Sequence, residues 1–436
     1  MTRTLYTQLI KWRNSPLRKP LLLQGARQVG KSYLLEQFGK NEFPNFFLFN
    51  FEQTPQLAKI FQTDLVPRRI LQELSLVAEK TIIPEKDLVI FDEIQECPRA
   101  LTSLKYFNEE MSELALCCAG SLLGVKLSEE SFPVGKVNFL HLYPMTFHEF
   151  LQTLDKPKLI ESLTDIANPL AEIAHDMLWK LLMEYFITGG LPQIVKEYLP
   201  LRNTLVEARQ HTRKLQQELL ASYYKDFAKH AGAINSMHIV AVLENIPMQL
   251  ARNQDSSVKR YIFKDVIPRK KSFADLQGPI DWLAQAGLAI KVKVCNRAEL
   301  PLESFCKPNM FKLFVFDVGL LGCMLDLAVE AIADENYGIA KGYFAENFVA
   351  QELMAAGAPR LYSWTERNSQ IEFLINRGSK IIPVEVKAGV RTQAKSLQQY
   401  IQKYSPDKAI ILSRKNIAGH KNSVVKYVPL YMAGNL

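Results

Sequence analysis

An eight-residue run near the start of the chain combines two glycines with a lysine and a serine. Residues 25–32 read G-A-R-Q-V-G-K-S, after an apolar run at residues 20–23 and before an apolar helix-type sequence. A glycine turn between a strand and a helix is typical of a phosphate-binding loop, because its backbone N–H groups converge on a phosphate at the N-terminus of the helix. Lys31 would reach the β- and γ-phosphate oxygens of ATP, and Ser32 would hold Mg²⁺. We therefore expect ATP contacts from Gly25, Ala26, Arg27, Gln28, Val29, Gly30, Lys31, Ser32 and Tyr33, the alternative being an ordinary glycine loop that carries a lysine.

Two later strand ends carry polar side chains that suit the same chemistry. The apolar run at residues 88–91 ends in Asp92 and Glu93. Asp92 would position Mg²⁺, and Glu93 would polarise the water that attacks the γ-phosphate, which suits a hydrolase better than a kinase. A second apolar run, residues 114–119, is followed by Ser121, which could read the γ-phosphate and orient the water. The alternatives are solvated acids at a strand end and a plain strand-to-turn junction.

The composition is that of an ordinary soluble globular protein. The chain has 436 residues, of which 48% are hydrophobic and 22% charged, and this length suits two to four domains. No apolar run approaches the roughly 18 residues of a membrane span, and the first 13 residues lack the pattern of a signal peptide. We expect a cytoplasmic protein without a membrane partner. The six cysteines show no C-x-x-C spacing, which indicates reduced thiols and no zinc site.

The positive charge is concentrated at the end of the chain. The whole chain has a net charge of +8, and residues 341–436 alone contain 14 Lys and Arg against 6 Asp and Glu. Localised positive charge favours a polyanionic partner, and nucleic acid is the commonest, with DNA favoured over RNA here. The alternative is a basic face that serves only solubility.

The order of apolar runs and helical patterns divides the chain into four predicted domains. Residues 1–155 alternate between strand and helix, which predicts a parallel α/β sheet of the P-loop NTPase type with an added strand between the loop strand and the acid-ended strand, as in AAA+ ATPases. Helical pattern dominates residues 156–235, a predicted lid or connector. Residues 236–325 follow the order of a winged helix, and residues 326–436 form a second α/β domain.

The winged-helix interpretation leaves the partner open. Ser272 could cap the predicted helix over residues 273–285, and residues 287–294 alternate as a strand would. Such modules can place a helix in the major groove of DNA. This helix, however, carries Asp275 and Asp281 and no Lys or Arg, so contact with a protein is equally compatible with it.

The last domain holds few acids, and their positions could form a second site. Glu372 lies inside one apolar strand, while Glu385 and Lys387 end the next strand on one face, and Glu346 belongs to the preceding helix. Two or three carboxylates can hold Mg²⁺ against a phosphodiester, and a lysine can steady the attacking water, as metal-dependent nucleases require. The alternative is a salt bridge between Lys387 and one glutamate.

Several segments together resemble a broad prokaryotic family of predicted AAA+ ATPases, in which an N-terminal ATPase module precedes a C-terminal domain of unknown function related to PD-(D/E)xK restriction-endonuclease-like proteins. The resemblance is carried by segments along nearly the whole chain, namely residues 22–32, 89–96, 119–122, 142–150, 189–192, 312–320, 342–349 and 383–389. It implies ATP binding, ATP hydrolysis, a winged-helix element, a nuclease-like end domain and self-association into a homo-oligomer.

Two departures from the family pattern affect what the resemblance implies. The family usually has E-V-D-F where this chain has residues 370–373, Q-I-E-F, so Glu372 replaces the shorter aspartate. Many relatives have Gly-Arg where this chain has Gly135 and Lys136, and a lysine lacks the planar fork of an arginine finger. We therefore assign no arginine finger.

Three functions are compatible with these patterns. The first is an ATP-driven switch that transmits hydrolysis to a nucleic acid or a protein partner. The second is an ATP-regulated, metal-dependent endonuclease that uses the acids of the last domain. The third is an ATPase switch whose inactive nuclease-like domain docks a protein.

Overall fold

The computed structural model describes residues 3–120, 133–164, 168–255, 260–389, 394–418 and 423–436. These residues form two compact units. The N-terminal unit is Thr2–Tyr143 together with Gln285–Gly287, and the C-terminal unit is Pro144–Ala284 together with Leu288–Leu436. Each unit has its own β-sheet.

The sheet of the N-terminal unit has five parallel strands. They are β1 (Leu21–Gln24), β2 (Phe46–Asn50), β3 (Leu88–Asp92), β4 (Ala115–Ala119) and β5 (Asn138–His141). Their order across the sheet is β2-β3-β4-β1-β5. The predicted arrangement is confirmed: β4 separates the strand before the glycine loop from the strand that ends in Asp92.

Helices cover the faces of this sheet and build its core. They are α1 (Tyr6–Arg13), α2 (Lys31–Glu42), α3 (Pro67–Val77) and α4 (Pro98–Glu110). Aromatic side chains dominate one face, where Phe91 contacts Phe51, Phe61 and Phe107 in T-shaped, edge-to-face pairs at centroid distances of 5.6–6.4 Å. Strands buried on both sides explain why β3 and β4 read as unbroken apolar runs.

The C-terminal unit begins with helices. They are α5 (Phe147–Thr153), α6 (Pro157–Ser162), α7 (Glu172–Thr188), α8 (Pro192–Leu201), α9 (Leu205–Ala231), α10 (Ala233–Asp255), α11 (Phe273–Gln285), α12 (Val318–Met324), α13 (Val329–Ala333), α14 (Ala340–Ala355) and α15 (Lys395–Tyr404). The predicted cap of α11 forms, since the backbone N–H of Asp275 donates to Ser272 Oγ at 3.3 Å and the Ser272 N–H donates to the Asp275 carboxylate at 3.0 Å. Pro279 lies within this helix without dividing it.

Seven strands form the sheet of the C-terminal unit. They are β6 (Ala289–Cys295), β7 (Cys306–Val315), β8 (Leu361–Glu366), β9 (Ser369–Arg377), β10 (Lys380–Val386), β11 (Ala409–Ser413) and β12 (Val425–Pro429). Their order is β12-β11-β10-β9-β8-β6-β7. The pairs β6–β7, β8–β9 and β9–β10 are antiparallel, and the pairs β6–β8, β10–β11 and β11–β12 are parallel.

This sheet crosses the predicted division between residues 325 and 326. The hairpin β6–β7 forms as expected, but β6 also pairs with β8, from Val292 opposite Leu361 to Cys295 opposite Trp364. The backbone hydrogen bonds of one sheet therefore join the predicted winged-helix region to the last predicted domain. The first boundary also differs, because residues 144–155 belong to the C-terminal unit.

Buried polar side chains tie distant segments of the C-terminal unit together. Asn347 on α14 accepts a hydrogen bond from the Val315 N–H at 2.9 Å and donates to its carbonyl at 2.8 Å. One turn later, Gln351 accepts from the Val318 N–H at 3.0 Å and donates to the Tyr185 hydroxyl at 2.6 Å. The side chains of α14 thus satisfy backbone N–H and C=O groups at the end of β7 and the start of α12, which the backbone of α14 could not reach.

Asp317 fixes the turn that follows α7 in a similar way. Its buried carboxylate accepts hydrogen bonds from the Gly190 N–H at 2.7 Å and the Leu320 N–H at 3.0 Å. Burial raises the pKa of Asp317 to about 6, although these backbone donors oppose the shift. Gly190 must be a glycine here, because an added Cβ would lie 2.1 Å from the Met145 carbonyl oxygen.

Glu352 gives the stability of the C-terminal unit a dependence on pH. Its carboxylate is buried against Gly434 and accepts the Phe147 N–H at the start of α5 at 3.0 Å. Burial raises the pKa of Glu352 to about 8, and the nearby Glu149 adds to the shift. The unfolded chain releases this proton near the ordinary glutamate pKa, so the folded state holds an extra proton between about pH 4.5 and 8.

We expect the free energy of unfolding to fall as pH rises through that interval, by about 1.4 kcal/mol per unit of difference between the folded and unfolded pKa of Glu352. Glu352→Gln should remove the contribution of this residue to the fall, because glutamine does not titrate. Denaturant unfolding of wild type and Glu352→Gln at pH 5 and pH 8 measures it, with Glu366→Gln, on the half-exposed ion pair with Lys403, as the control. A difference between the two proteins that stays constant with pH would contradict the assignment.

Candidate functional site

The glycine loop leaves the carboxyl end of β1 and leads directly into α2. Gly25 has φ +153° and lies against β5, where an added Cβ would be 2.2 Å from the Leu142 carbonyl oxygen. Gly30, immediately before α2, has φ +93°. A side chain at the first position would clash and one at the second would be strained, so both glycines of the pattern are required by the backbone. The turn aims the first N–H groups of α2 at the edge of the sheet.

Lys31 is a buried cation held by neutral acceptors. Its side chain is 7% exposed, and Nζ donates to the carbonyl oxygens of Gly25 at 3.1 Å and Ala26 at 2.9 Å. Burial lowers the pKa of Lys31 to about 8, while Glu93 and Asp92 oppose the shift. A cation without a contacting carboxylate can exchange its carbonyl partners for phosphate oxygens and gain charge compensation by doing so.

Asp92 joins the loop helix to two neighbouring strands. Its Oδ1 accepts a hydrogen bond from Ser32 Oγ at 2.9 Å, and its Oδ2 accepts one from Asn50 Nδ2 at 2.9 Å. Asn50 lies opposite Asp92 in the register of β2 and β3, and its own oxygen accepts the N–H of Gln53 at 2.8 Å. Ser32 and Asp92 are therefore in contact. Asn50, which was not among the predicted site residues, also contacts Asp92.

The side chains of Ser32 and Asp92 fit a magnesium ion. Magnesium prefers hard oxygen donors and keeps several of its waters, so a hydroxyl and a carboxylate oxygen 2.9 Å apart at the phosphate end of the loop are a suitable pair of donors. No group of three or more His, Cys, Asp or Glu side chains in the described ranges is placed to hold a metal by itself. An ion here would therefore depend on phosphate oxygens and water for its remaining ligands.

Glu93 follows Asp92 at a sharp turn. Its backbone is left-handed, with φ +49°, and it precedes a short 3₁₀ helix, Ile94–Glu96. Its carboxylate accepts a hydrogen bond from Gln95 Nε2 at 2.5 Å. A non-glycine residue in this conformation is unusual and occurs often where side-chain direction matters for function. Ser121, the third predicted catalytic residue of this site, lies outside the described residues.

Arg3 supports the loop from outside the motif. It is buried, and its guanidinium donates to the Val29 carbonyl at 2.8 Å and to the Tyr143 carbonyl at 2.6 Å. Arg27 and Tyr33 lie towards solvent, with Arg27 3.5 Å from Glu52. Lys136, which stands where relatives have an arginine, is paired with Glu109 at 2.9 Å. Arg3 lies far from the motif in sequence, so only the fold reveals its role.

The four predicted residues of the second site also come together, in the C-terminal unit. Lys387 Nζ lies 2.6 Å from Glu385 Oε1, and Glu372 accepts the Val386 N–H at 3.1 Å. A fifth residue, Lys312 on β7, was not predicted: its Nζ lies 3.1 Å from Glu346 Oε2, and the side chain is 3% exposed. Lys312 lies within a stretch of β7, from Phe311 to Val315, that is buried on both faces, so no alternation in the sequence marks it.

Burial and mutual repulsion dominate the electrostatics of this cluster. Burial raises the pKa of Glu372 well above its usual range, and Glu385 and Glu346 add to the shift. Burial likewise raises the pKa of Glu385, against the effect of Lys387. Burial alone would lower the pKa of Lys387, but the three glutamates together raise it above its usual value. The carboxylates are therefore close enough to interact and are balanced by two ammonium groups.

This cluster does not fit a metal ion as it stands. Lys312 and Lys387 occupy the carboxylate oxygens that a cation would need, and the metal-binding geometry is not met by any three acids in the described part of the chain. One oxygen, Glu385 Oε2, is buried without a hydrogen-bond partner in those same residues. The arrangement corresponds more closely to the predicted salt-bridge alternative than to a metal-loaded nuclease centre.

Family models match three parts of the chain. Residues 17–151 match the model described as AAA domain, which supports the predicted resemblance to AAA+ ATPases. Residues 180–331 match Domain of unknown function (DUF8612), and residues 341–432 match Domain of unknown function (DUF4143). The last two descriptions assign no activity, so the nuclease resemblance stays a prediction. No curated protein has a matching sequence.

Solved structures give only weak similarity. C. elegans PCH-2 is 11% identical, with 44% of this chain and 58% of that chain covered and a TM-score of 0.26. Aeropyrum pernix ORC1 in complex with DNA is 12% identical, with 77% of this chain and 92% of that chain covered and a TM-score of 0.30. The Thermotoga maritima RuvB Holliday junction branch migration motor is 14% identical, with 72% of this chain and 89% of that chain covered and a TM-score of 0.31. The chain spans little more than half of PCH-2, and TM-scores this low carry no conclusion about function.

Among the described residues, no helix combines the length and the hydropathy that a membrane crossing requires.

We expect the buried Lys312–Glu346 pair to contribute to the free energy of unfolding. Removing one partner of a buried pair leaves an uncompensated charge, so Lys312→Ala should lower the free energy of unfolding by about 3–5 kcal/mol. Replacing both partners, in Lys312→Met/Glu346→Leu, should restore most of that loss.

Denaturant titration of the single and double variants measures this coupling. The matched control is Lys380→Ala, since the Lys380–Asp407 pair is similarly short at 2.6 Å but about two thirds exposed, and its loss should cost less than about 1 kcal/mol. A double variant as unstable as Lys312→Ala would show that the charge pair is not the source of the effect.

Proposed function

We propose that the N-terminal unit binds ATP with Mg²⁺ and hydrolyses it. The observation that supports this most directly is the hydrogen bond between Ser32 and Asp92, which joins the helix after the glycine loop to the acid-ended strand β3. It brings the two predicted halves of the site into contact although they are separated by 60 residues of sequence. The AAA domain match over residues 17–151 agrees with this proposal.

The loop residues would bind the triphosphate. The N–H groups of residues 25–32 surround the β-phosphate, and Lys31 gives its ammonium charge to the β- and γ-phosphate oxygens. Because burial lowers the pKa of Lys31 to about 8, a phosphate in this position favours the charged form of the lysine. Ser32 and Asp92 would hold the magnesium ion, which when bound neutralises charge on the phosphate oxygens.

Glu93 would act on the water. Its carboxylate accepts a proton as the water oxygen forms a bond to the γ-phosphorus, while the bond from that phosphorus to the bridging oxygen of ADP breaks. Glu93 interacts electrostatically with Lys31, which is consistent with a position beside the γ-phosphate. Ser121 would help to orient the water, as the sequence analysis predicts.

The C-terminal unit would transmit the result of hydrolysis to a partner. Its basic surplus in residues 341–436 favours a nucleic acid, with DNA preferred over RNA, and a protein partner is the alternative. We also propose that the chain associates into a homo-oligomer, because the resemblance to AAA+ ATPases implies self-association. We propose the ATP-driven switch as the function of the chain, located in the cytoplasm.

The ATPase proposal predicts two different kinetic defects. Lys31→Ala should weaken ATP binding and reduce turnover, because the phosphate charge loses its partner. Glu93→Gln should leave binding within about twofold and reduce kcat by roughly 10²–10⁴, because the proton acceptor is lost. Phosphate release and the affinity for a fluorescent ATP analogue measure the two effects, with the exposed Lys11→Ala as the control. Wild-type turnover in Lys31→Ala would disprove the proposal.

Cleavage of nucleic acid is a second candidate function, favoured by the convergence of Glu346, Glu372, Glu385 and Lys387. Lys312 argues against it, because its ammonium group neutralises one of the carboxylates that a metal would need. We therefore favour the alternative in which the nuclease-like domain binds a partner without cutting.

The two alternatives differ in metal binding and in cutting. We expect wild-type protein with Mn²⁺ to leave DNA and RNA intact at a level that Glu385→Ala does not change. We further expect Lys312→Met to gain Mn²⁺ binding detectable by electron paramagnetic resonance, since the ammonium group that contacts Glu346 Oε2 is then absent. Cutting by wild type that disappears in Glu385→Ala would establish the nuclease and overturn this preference. Binding of DNA at low salt, where phosphate contacts are strongest, is measured in parallel.

A further inference from the structure

Gln95 contacts the residue that is proposed to polarise the water. Its Nε2 lies 2.5 Å from Glu93 Oε2, within a turn of only two residues. An ionised carboxylate only accepts hydrogen bonds, so the amide nitrogen, rather than the amide oxygen, must face Glu93. The orientation of the whole Gln95 amide is fixed by this single contact.

The other end of the amide lies against the carboxyl end of β4. A Cβ built on Gly120 would be 2.7 Å from Gln95 Oε1 and 3.2 Å from Ile94 Cγ2, so the amide packs where glycine leaves room for it. Gln95 Oε1 is buried and has no hydrogen-bond partner among the described residues. A buried acceptor without a partner is costly and is therefore uncommon in a side chain whose only role is packing.

We propose that Gln95 is a positioning residue for ATP hydrolysis, which holds the Glu93 carboxylate in the direction needed to accept a proton from the attacking water. The inference rests on the proposed ATPase function and deepens it. Glu93 takes an unusual left-handed backbone conformation, and its side chain needs a second constraint to keep one direction. Gln95 supplies that constraint from the β4 side, with Gly120 as the surface on which it rests.

A neutral amide suits this role better than any charged side chain. A carboxylate at the same position would only accept hydrogen bonds and would repel the Glu93 carboxylate. Glu93 would then turn away from the direction in which it must accept a proton. Lysine would pair with Glu93 and weaken it as a base. Glutamine donates a hydrogen bond without either effect.

The experiment compares Gln95→Glu, Gln95→Met and Gly120→Ala with wild type. Each protein is assayed for kcat and KM of ATP and for affinity towards a fluorescent ATP analogue. We expect Gln95→Met, which keeps the length of the side chain, to lower kcat by about 10-fold to 100-fold, less than the loss of the base itself, with affinity within twofold. In Gln95→Glu, a second carboxylate faces Glu93 without donating a hydrogen bond, so kcat should fall at least as far, again with affinity within twofold.

Gly120→Ala tests the same contact from the other side. The added methyl group should displace the amide and lower kcat without changing affinity. Its effect should be much smaller in a Gln95→Ala background, where the contact with Gln95 Oε1 is gone and the 3.2 Å contact with Ile94 Cγ2 remains. This non-additivity distinguishes positioning from a general loss of packing, which would add in the double variant. It also keeps the proposal testable should one of the Gln95 variants fail to fold.

The outcomes separate this inference from the proposed function. Wild-type kcat in both Gln95→Met and Gln95→Glu, with turnover abolished in Glu93→Gln, would overturn the role of Gln95 and leave the ATPase standing. Wild-type turnover in Glu93→Gln would overturn both. Equal and additive losses in Gly120→Ala and Gln95→Ala would reduce Gln95 to a packing residue and also overturn the inference.

Discussion

Two lysines removed from water determine what each half of this chain can do. A buried cation must be compensated, and the kind of partner decides whether the compensation can be exchanged. Among the described residues, Lys31 Nζ donates hydrogen bonds only to backbone carbonyl oxygens, so an incoming phosphate offers it a better partner than the ones it has. Lys312 contacts a carboxylate, and an incoming ligand would have to replace a full charge. The first arrangement suits binding, and the second suits stability.

The strand order of the N-terminal sheet makes the first arrangement possible. In a parallel sheet the carboxyl ends of all strands lie at one edge, so a loop after β1 and acids after β3 must face the same side. The intervening strand β4 sets their separation and brings Gly120 beside Gln95. Asn50, at the end of β2, completes the edge by fixing Asp92. The polar residues therefore converge because each one terminates a buried strand.

The sequence was sufficient to predict this part of the fold because its signals are local. The loop, the acid pair and the run of buried strands are each readable within a few residues, and the sheet order was predicted by likeness to AAA+ ATPases. The strand β12 was missed, since its residues are only partly buried and lie after a stretch without clear alternation. The separation of a winged-helix domain was also predicted, but β6 pairs with β8, and the paired residues, such as Val292 and Leu361, are too far apart in sequence for a local pattern to indicate the pairing.

The same reasoning explains which site residues escaped prediction and what several motif segments do. Arg3, Lys312 and Gln95 act through contacts that only the folded chain creates. Gln95 and Lys312 lie inside segments that carry the family resemblance, but those segments assign neither residue a role. Conversely, the segments at residues 189–192 and 312–320 attract attention as motifs, yet Asp317 and Gly190 hold a backbone turn. A glycine or an acid required by backbone geometry leaves the same mark in a sequence as one required by catalysis. The two are separated by asking whether the polar atoms are satisfied within the fold: those of Asp317 are, whereas Gln95 keeps a buried acceptor without a partner among the described residues beside the proposed base.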